Sequence, residues 1–247
     1  NLERFNFDYY RPLGNPTKFI HALLKHFSRA KDELVAPADY LEYVKNAKLN
    51  LDSAPDSPEA GELARTEEVA EAYHIYEQLL LENNAFDFGD LINRTLFLFK
   101  KRPHILEYFR NKFKYILVDE FQDTNFAQYE LVKLLSAPKN NLTVVGDDDQ
   151  SIYKFRGASI SNILEFERDF VNAKKIFLVK NYRSKQNILD LSYQFIQQNN
   201  PYRLEVKLAD AGGLSKKLVS NIEGEGEVRY LKSKTAPLGA VFDLFDI

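Results

Sequence analysis

The sequence predicts an α/β protein, with a parallel sheet and flanking helices preceded by an all-helical part. Four-residue apolar runs at 115–118, 142–145 and 176–179 have the pattern of strands buried on both faces. Helical periodicity separates these runs, and the order strand–helix–strand–helix–strand is typical of a parallel sheet. Residues 1–85 show helical periodicity alone.

The helical part contains three helices in this interpretation, and a fourth follows it. The first begins after Thr17, a suitable N-cap, and Pro37 opens the second. Longer patterns of apolar residues at helical spacing cover 63–80 and 87–100. The remaining elements are helices over 129–135, 160–166 and 188–198 and a strand over 227–231. We therefore expect three regions, 1–85, 86–177 and 178–247.

Composition excludes several classes of protein. Among the 247 residues, 33 Lys and Arg face 36 Asp and Glu, so a strongly basic nucleic-acid coat is excluded, while local basic grooves are not. Cysteine is absent, which excludes disulfides, cysteine–zinc sites and thiol catalysis. No apolar run reaches the roughly 18 residues of a membrane span, and no targeting segment is recognisable, so we expect a cytoplasmic protein without membrane contact. Methionine is also absent and the chain begins with Asn1, which leads us to expect a fragment.

Acidic residues follow the first predicted strand, where ligands bind in open parallel sheets. Asp119 and Glu120 come first, with Gln122 and Asp123 behind them. One such carboxylate can hold Mg²⁺ while its neighbour orients a water. A solvated acidic turn is the alternative, but a second polar strand end, 146–150, favours a site.

The second strand end offers an amide and an aromatic–cationic segment. Gln150 can hydrogen-bond a terminal phosphate and its adjoining water, or simply meet solvent. Tyr153, Phe155 and Arg156 can stack on bases and grip phosphates, or pack into a core.

The third run is followed by Tyr182 and Arg183. An arginine across a cleft from a triphosphate stabilises charge in phosphoryl transfer, and a tyrosine can stack on a base. A polar strand end with a surface arginine is the alternative. We expect the carboxylates at 119–120, the amide at 150 and the guanidinium at 183 to surround one hollow of triphosphate size.

Three segments together resemble motifs II, III and IV of the UvrD/Rep/PcrA family of superfamily 1 DNA helicases. They are VDEFQDTN at 118–125, VGDDDQSIYKFRGA at 145–158 and NYRS at 181–184. DFGDL at 87–91 resembles the family's Asp-Phe-x-Asp-Leu motif. The resemblance implies a RecA-like sheet, a 1B-like helical subdomain at 1–85, the distal half of motor domain 1A at 86–177, and the start of motor domain 2A at 178–247.

The resemblance also implies roles at the nucleotide, with ATP and Mg²⁺ as cofactors. Asp119 would bind Mg²⁺ and Glu120 would be the catalytic base, with Gln122 and Asp123 also at the cofactor. Gln150 would sense the γ-phosphate.

Further implied roles concern the second motor domain and DNA. Tyr182 would stack on adenine and Arg183 would act as an arginine finger. Tyr153, Phe155 and Arg156 would contact single-stranded DNA, with Phe155 standing where many members have tryptophan. Family members move 3′→5′ on single strands and separate duplex DNA.

The sequence departs from the family at both ends. The phosphate-binding pattern Gly-x-x-x-x-Gly-Lys-Ser/Thr is absent, and so are motifs V and VI. We therefore expect the fragment alone to bind ATP weakly and not to unwind DNA. Two alternatives remain open: a non-catalytic DNA-binding or protein-docking module, and a part of a helicase–nuclease.

Overall fold

A computed structural model describes residues 2–51, 57–150, 161–201, 203–207 and 215–229. The chain forms two compact units, Asn1–Asn172 and Ala173–Ile247. Within the described ranges no helix has the length and apolar character needed to cross a bilayer.

The first unit begins with three helices that enclose an aromatic core. Helices α1 (Ile20–Asp32), α2 (Pro37–Leu49) and α3 (Pro58–Glu82) match the predicted helical part. Proline occupies the first turn of α2 and α3, where its missing N–H leaves no hydrogen bond unmade. The buried residues of the core are Leu23, Phe27, Val69, Ala72 and Tyr73.

Two details of this helical part differ from the prediction. Helix α1 begins at Ile20 rather than after Thr17, whose carbonyl instead accepts the Ile20 N–H in a turn. Helix α3 begins at Pro58, capped by the Ser57 hydroxyl, which accepts the Ala60 N–H at 3.1 Å.

Two further helices lead from this part to the sheet. Helix α4 (Phe88–Lys101) matches the predicted fourth helix, and Asp87 caps it. Helix α5 (Pro103–Lys112) was not predicted. Pro103 explains it, since proline cannot continue α4 but suits the first turn of a new helix.

The first two predicted strands are present and parallel. Strand β1 (Ile116–Val118) pairs with β2 (Leu142–Val144), with Ile116 opposite Leu142 and Val118 opposite Val144. Helix α6 (Phe126–Ser136) connects them, and α7 (Ser161–Asp169) follows. This confirms an α/β arrangement, whereas the described residues form two-stranded sheets and not a full RecA-like sheet.

The expectation that these strands are buried on both faces was wrong for the described structure. Leu117 is 77% exposed, while its neighbours Ile116 and Val118 are half-buried. Alternate side chains of a strand point to opposite faces, so one face of this sheet is covered and the other is open.

The second unit contains short elements. They are β3 (Lys180–Asn181), α8 (Gln186–Ile196), α9 (Leu204–Lys207) and β4 (Val219–Ser220), with β3 and β4 parallel. Helix α8 matches the prediction for 188–198, but the strand predicted at 176–179 was wrong because ladder pairing with β4 begins only at Lys180. The strand predicted over 227–231 is absent at 227–229, and its last two residues lie outside the described ranges.

Candidate nucleotide and DNA site

Asp119 and Glu120 lie directly after β1, and both are exposed. The Asp119 carboxylate accepts the Glu120 N–H at 3.0 Å. Glu120 adopts a left-handed backbone, with φ 49° and ψ 43°. Such a conformation costs a non-glycine residue roughly 1–2 kcal/mol, and strain of this kind concentrates at functional sites.

Gln122 joins this acidic end to the end of β2. Its side-chain amide donates to Glu120 Oε2 at 2.7 Å, and its carbonyl oxygen accepts the Asp147 N–H at 2.9 Å. Gln122 is 1% exposed, so both ends of a buried amide are satisfied by protein. Its expected contact with a cofactor stays a prediction, while its bridging position is a feature that the sequence did not indicate.

The bridge requires a close approach at Gly146. A Cβ there would lie 3.0 Å from Gln122 Oε1, so a larger residue would press on the bridging amide. Beyond Gly146, the Gln150 side chain donates to Asp147 Oδ2 at 2.9 Å. Glu120, Gln122, Asp147 and Gln150 therefore form one continuous hydrogen-bonded chain.

Asp123 lies in the tight turn behind Glu120, its N–H bonded to the Glu120 carbonyl at 2.8 Å. Its Oδ1 is buried with no hydrogen-bond partner among the described residues. Buried carboxylate oxygens are nearly always paired. Among the described residues near this turn, the carboxylates that lie close enough together to hold one ion are those of Asp147, Asp148 and Asp149 after β2, an all-oxygen set that fits a hard cation such as Mg²⁺, so a metal site at Asp119 stays a prediction.

The other residues predicted at the nucleotide, Tyr182 and Arg183, belong to the second unit. Tyr182 is 68% exposed and Arg183 is also exposed. Asn181 Oδ1 accepts the N–H groups of Arg183 and Ser184 at 2.9 and 2.8 Å, which fixes the backbone of this turn. Whether Arg183 shares a hollow with Glu120 and Gln150 stays a prediction.

Tyr153, Phe155 and Arg156, the predicted DNA contacts, lie outside the described residues. An exposed aromatic that sequence reasoning did not assign is Phe88, whose ring is 90% exposed in the first turn of α4. Its position in the DFGD segment, between two carboxylates that form a capping box, was a signal in the sequence.

A second cluster of charges surrounds Lys31, which is 1% exposed. Its ammonium lies 2.7 Å from Asp87 Oδ2 and 3.0 Å from Asp90 Oδ1, and it also pairs with Glu77. Burial acts to lower the pKa of Lys31, but the hydrogen bonds that its ammonium donates to these three carboxylates together outweigh burial, so the pKa is raised. The three carboxylates could be mistaken for a metal site, but Lys31 occupies the position of the cation.

Comparison with known proteins gives consistent matches to this part of the chain. The family model described as the UvrD/REP helicase N-terminal domain matches residues 6–171. The ATP-dependent DNA helicase PcrA of Staphylococcus epidermidis is 48% identical over 164 residues, and PcrA of Staphylococcus aureus is 47% identical over the same length. These alignments cover 66% of the chain and 22% of each relative, so the chain spans about a fifth of the length of the relatives it matches. The chain belongs to the UvrD/REP helicase N-terminal domain family, as its motifs predict.

Proposed function

We propose that this chain is part of an ATP-dependent DNA helicase that couples ATP hydrolysis to 3′→5′ movement on single-stranded DNA and to duplex unwinding. The observation that carries the proposal is the hydrogen-bonded chain from Glu120 through Gln122 and Asp147 to Gln150. It links the carboxylates after β1 to the amide after β2, which the family motifs assign to one reaction.

Asp119, Glu120 and Gln150 each have a chemical task in this proposal. Asp119 would hold Mg²⁺, which would supply positive charge against the phosphates. Glu120 would accept the proton of the attacking water, as an exposed carboxylate can. Gln150, an uncharged donor and acceptor, hydrogen-bonds the terminal phosphate, and its bond to Asp147 connects it back to Glu120 through Gln122.

The proposed contacts with DNA involve residues outside the described ranges as well as residues within them. Tyr153, Phe155 and Arg156 lie three to six positions beyond Gln150, so movement of that amide reaches them over a short length of chain. Phe88 is 90% exposed, so its ring is accessible to a DNA base. Stacking of a base on an aromatic ring contributes about 1–3 kcal/mol per base without sequence preference. Tyr182 and Arg183 contribute an aromatic face and a guanidinium from the second unit, for adenine and phosphate respectively.

Glu120→Gln in a complete helicase tests the catalytic role. The complete protein is obtained by replacing the 164 aligned residues of Staphylococcus epidermidis PcrA with those of this chain. Because the amide cannot accept the proton, we expect DNA-stimulated ATP hydrolysis to fall by at least about 100-fold, while nucleotide affinity stays within about three-fold. Glu42→Gln, at an exposed position on α2, is the matched control and should retain full activity.

Normal turnover by the Glu120→Gln protein would remove Glu120 from the mechanism. A complete helicase with Glu120 unsubstituted that binds single-stranded DNA but hydrolyses no ATP would instead favour the second candidate, a non-catalytic DNA-binding module, which the absence of the phosphate-binding pattern from this sequence supports. The chain by itself is proposed to bind ATP weakly and to leave duplex DNA intact, for the same reason.

A further inference from the structure

Three of the four residues at the start of α4, positions 87–90, contact the side chain of Lys31. The carboxylates of Asp87 and Asp90 bond the Lys31 ammonium at 2.7 and 3.0 Å. Gly89 lies against the aliphatic stem of the same lysine, where a Cβ would come within 2.8 Å of Lys31 Cβ and Cδ. The contacts at 87, 89 and 90 leave one residue of this turn directed outward.

That residue is Phe88. Its 90% exposure follows from the attachment of its neighbours, because rotating the ring inward would pull a carboxylate away from a buried ammonium. Tyr76 on α3 reinforces the arrangement by donating its hydroxyl to Asp87 Oδ2 at 2.9 Å. The position of Phe88 is thus set by α1 and α3, not by α4 alone.

The residue after Lys31 reaches the acidic segment. Asp32 Oδ1 accepts the side-chain amide of Asn125 at 2.6 Å. Asn125 is 7% exposed and caps α6, its own Oδ1 accepting the Gln128 N–H at 2.8 Å. It ends the VDEFQDTN segment, five residues after Glu120 and directly behind the tight turn that Glu120 begins.

We propose that Lys31 and Asp32 of α1 form a bracket that positions the Phe88 turn and the Glu120 segment relative to each other, and so transmits single-strand binding at Phe88 to the ATP site. This inference rests on the proposed function. Both are positioning residues, since they act through the protein side chains that they contact. Successive helical residues point about 100° apart, which lets one turn of α1 hold α4 with one side chain and α6 with the next.

Hydrogen–deuterium exchange on the chain itself tests transmission. With an oligothymidylate as the probe, we expect slower exchange by about three-fold or more at amides 87–91 and, through the bracket, at amides 126–130. Asp32→Ala removes the acceptor for Asn125 and should abolish the effect at 126–130 while keeping it at 87–91. Asp32→Asn keeps an oxygen acceptor and should retain both.

One further variant and a spectroscopic measurement distinguish loss of transmission from simple unfolding. Asn125→Ser keeps a capping oxygen for Gln128 but lacks the amide that reaches Asp32, so it should behave as Asp32→Ala does. Circular dichroism should show that every variant is folded at the temperature of the exchange experiment. A purely structural role of Asp32 would raise exchange at 126–130 with and without DNA, but would not remove the DNA-dependent difference.

The possible outcomes distinguish failure of the bracket from failure of the proposed DNA role of Phe88. If the oligothymidylate fails to slow exchange at 87–91 in the unsubstituted chain, or still does so in Phe88→Ala, then the DNA role of Phe88 is wrong, and the bracket as a transmitter from Phe88 is wrong with it. If the effect at 87–91 depends on Phe88 but Asp32→Ala leaves the effect at 126–130 intact, only the bracket is overturned.

Discussion

Two groups of carboxylates in the first unit have similar composition and opposite surroundings. Glu77, Asp87 and Asp90 converge on one buried lysine, with side chains 13%, 27% and 3% exposed. Asp119 and Glu120 are exposed, and their described contacts are with their own segment. The first group is neutralised by the protein, and the second keeps its charge available.

The difference shows how the same types of side chain are either neutralised within the protein or left accessible to a ligand. A buried carboxylate is tolerated when a cation and hydrogen bonds replace its water, and it then offers little to a ligand. An exposed carboxylate pays no desolvation penalty and adds little to stability, but it can bind a divalent cation. Local residue type does not distinguish the two groups, whereas burial and partners do.

The largest expected effect comes from removing the buried cation. Lys31→Met leaves three carboxylates around an uncharged side chain, so the free energy of unfolding in urea should fall by about 3–5 kcal/mol. Lys48→Met is the matched control, since Lys48 pairs with Glu67 at the surface and its loss should cost at most about 1 kcal/mol. Equal losses in the two variants would contradict a structural role for the Lys31 cluster.

Smaller effects on stability, opposite in sign, are expected when two helical glycines are replaced by alanine. Gly89→Ala forces a methyl group against the Lys31 stem and should destabilise the unit by about 1–3 kcal/mol. Gly61→Ala, in α3 with open space around it, should instead stabilise by about 0.5–1 kcal/mol. Urea unfolding of both variants measures the difference, and a stabilising Gly89→Ala would show that the packing around Lys31 is loose.

The smallest expected effect is a change in the free energy of unfolding with pH. Burial raises the pKa of Asp32 from 3.8 to about 6, with repulsion from Glu33 as the next cause. The folded state therefore binds more protons than the unfolded state between these values, and the contribution of Asp32 to stability decreases as pH rises from about 4 to about 6. Across this pH range, the free energy of unfolding of the unsubstituted chain should fall by about 1 kcal/mol relative to that of Asp32→Asn. This value allows for solvent screening, because Asp32 is half-exposed.

Urea unfolding at several pH values checks this, with Asp8→Asn at an exposed position as the control. The control should follow the unsubstituted chain at each pH. A constant difference between Asp32→Asn and the unsubstituted chain would mean that the Asp32 carboxylate is better solvated than its position beside Asn125 indicates.

The sequence predicted the elements whose local signals agree with their final surroundings. Strands β1 and β2 carry apolar runs ended by polar residues, and α4 carries a capping box at Asp87 and Asp90. The run at 176–179 has an equally strong strand pattern, but its pairing depends on a distant partner, and β4 reaches only its last residue, Val179, whose carbonyl accepts the Val219 N–H at 2.8 Å. Strand formation at that point is therefore decided by contacts that a local pattern does not contain.

The connections within the candidate site could not be predicted from the sequence. The roles that the motifs imply for Asp119, Glu120 and Gln150 stay predictions, and the motifs did not indicate the bridging position of Gln122, which requires the approach of two strand ends at Gly146. The burial of Lys31 was predictable from the sequence, since Lys31 follows Leu23 and Phe27 at four-residue intervals on the buried face of α1. A lysine at a core-facing position requires anionic partners, but only the fold identifies them as Glu77, Asp87 and Asp90.

The left-handed backbone at Glu120 has a consequence for how this protein changes under selection. Glycine would adopt that conformation without steric cost, so Glu120→Gly should relieve strain in the isolated unit while deleting the carboxylate. A library of variants enriched for resistance to heat or proteases would then drift toward glycine at this position. A screen for the ATP turnover proposed above should instead retain the glutamate.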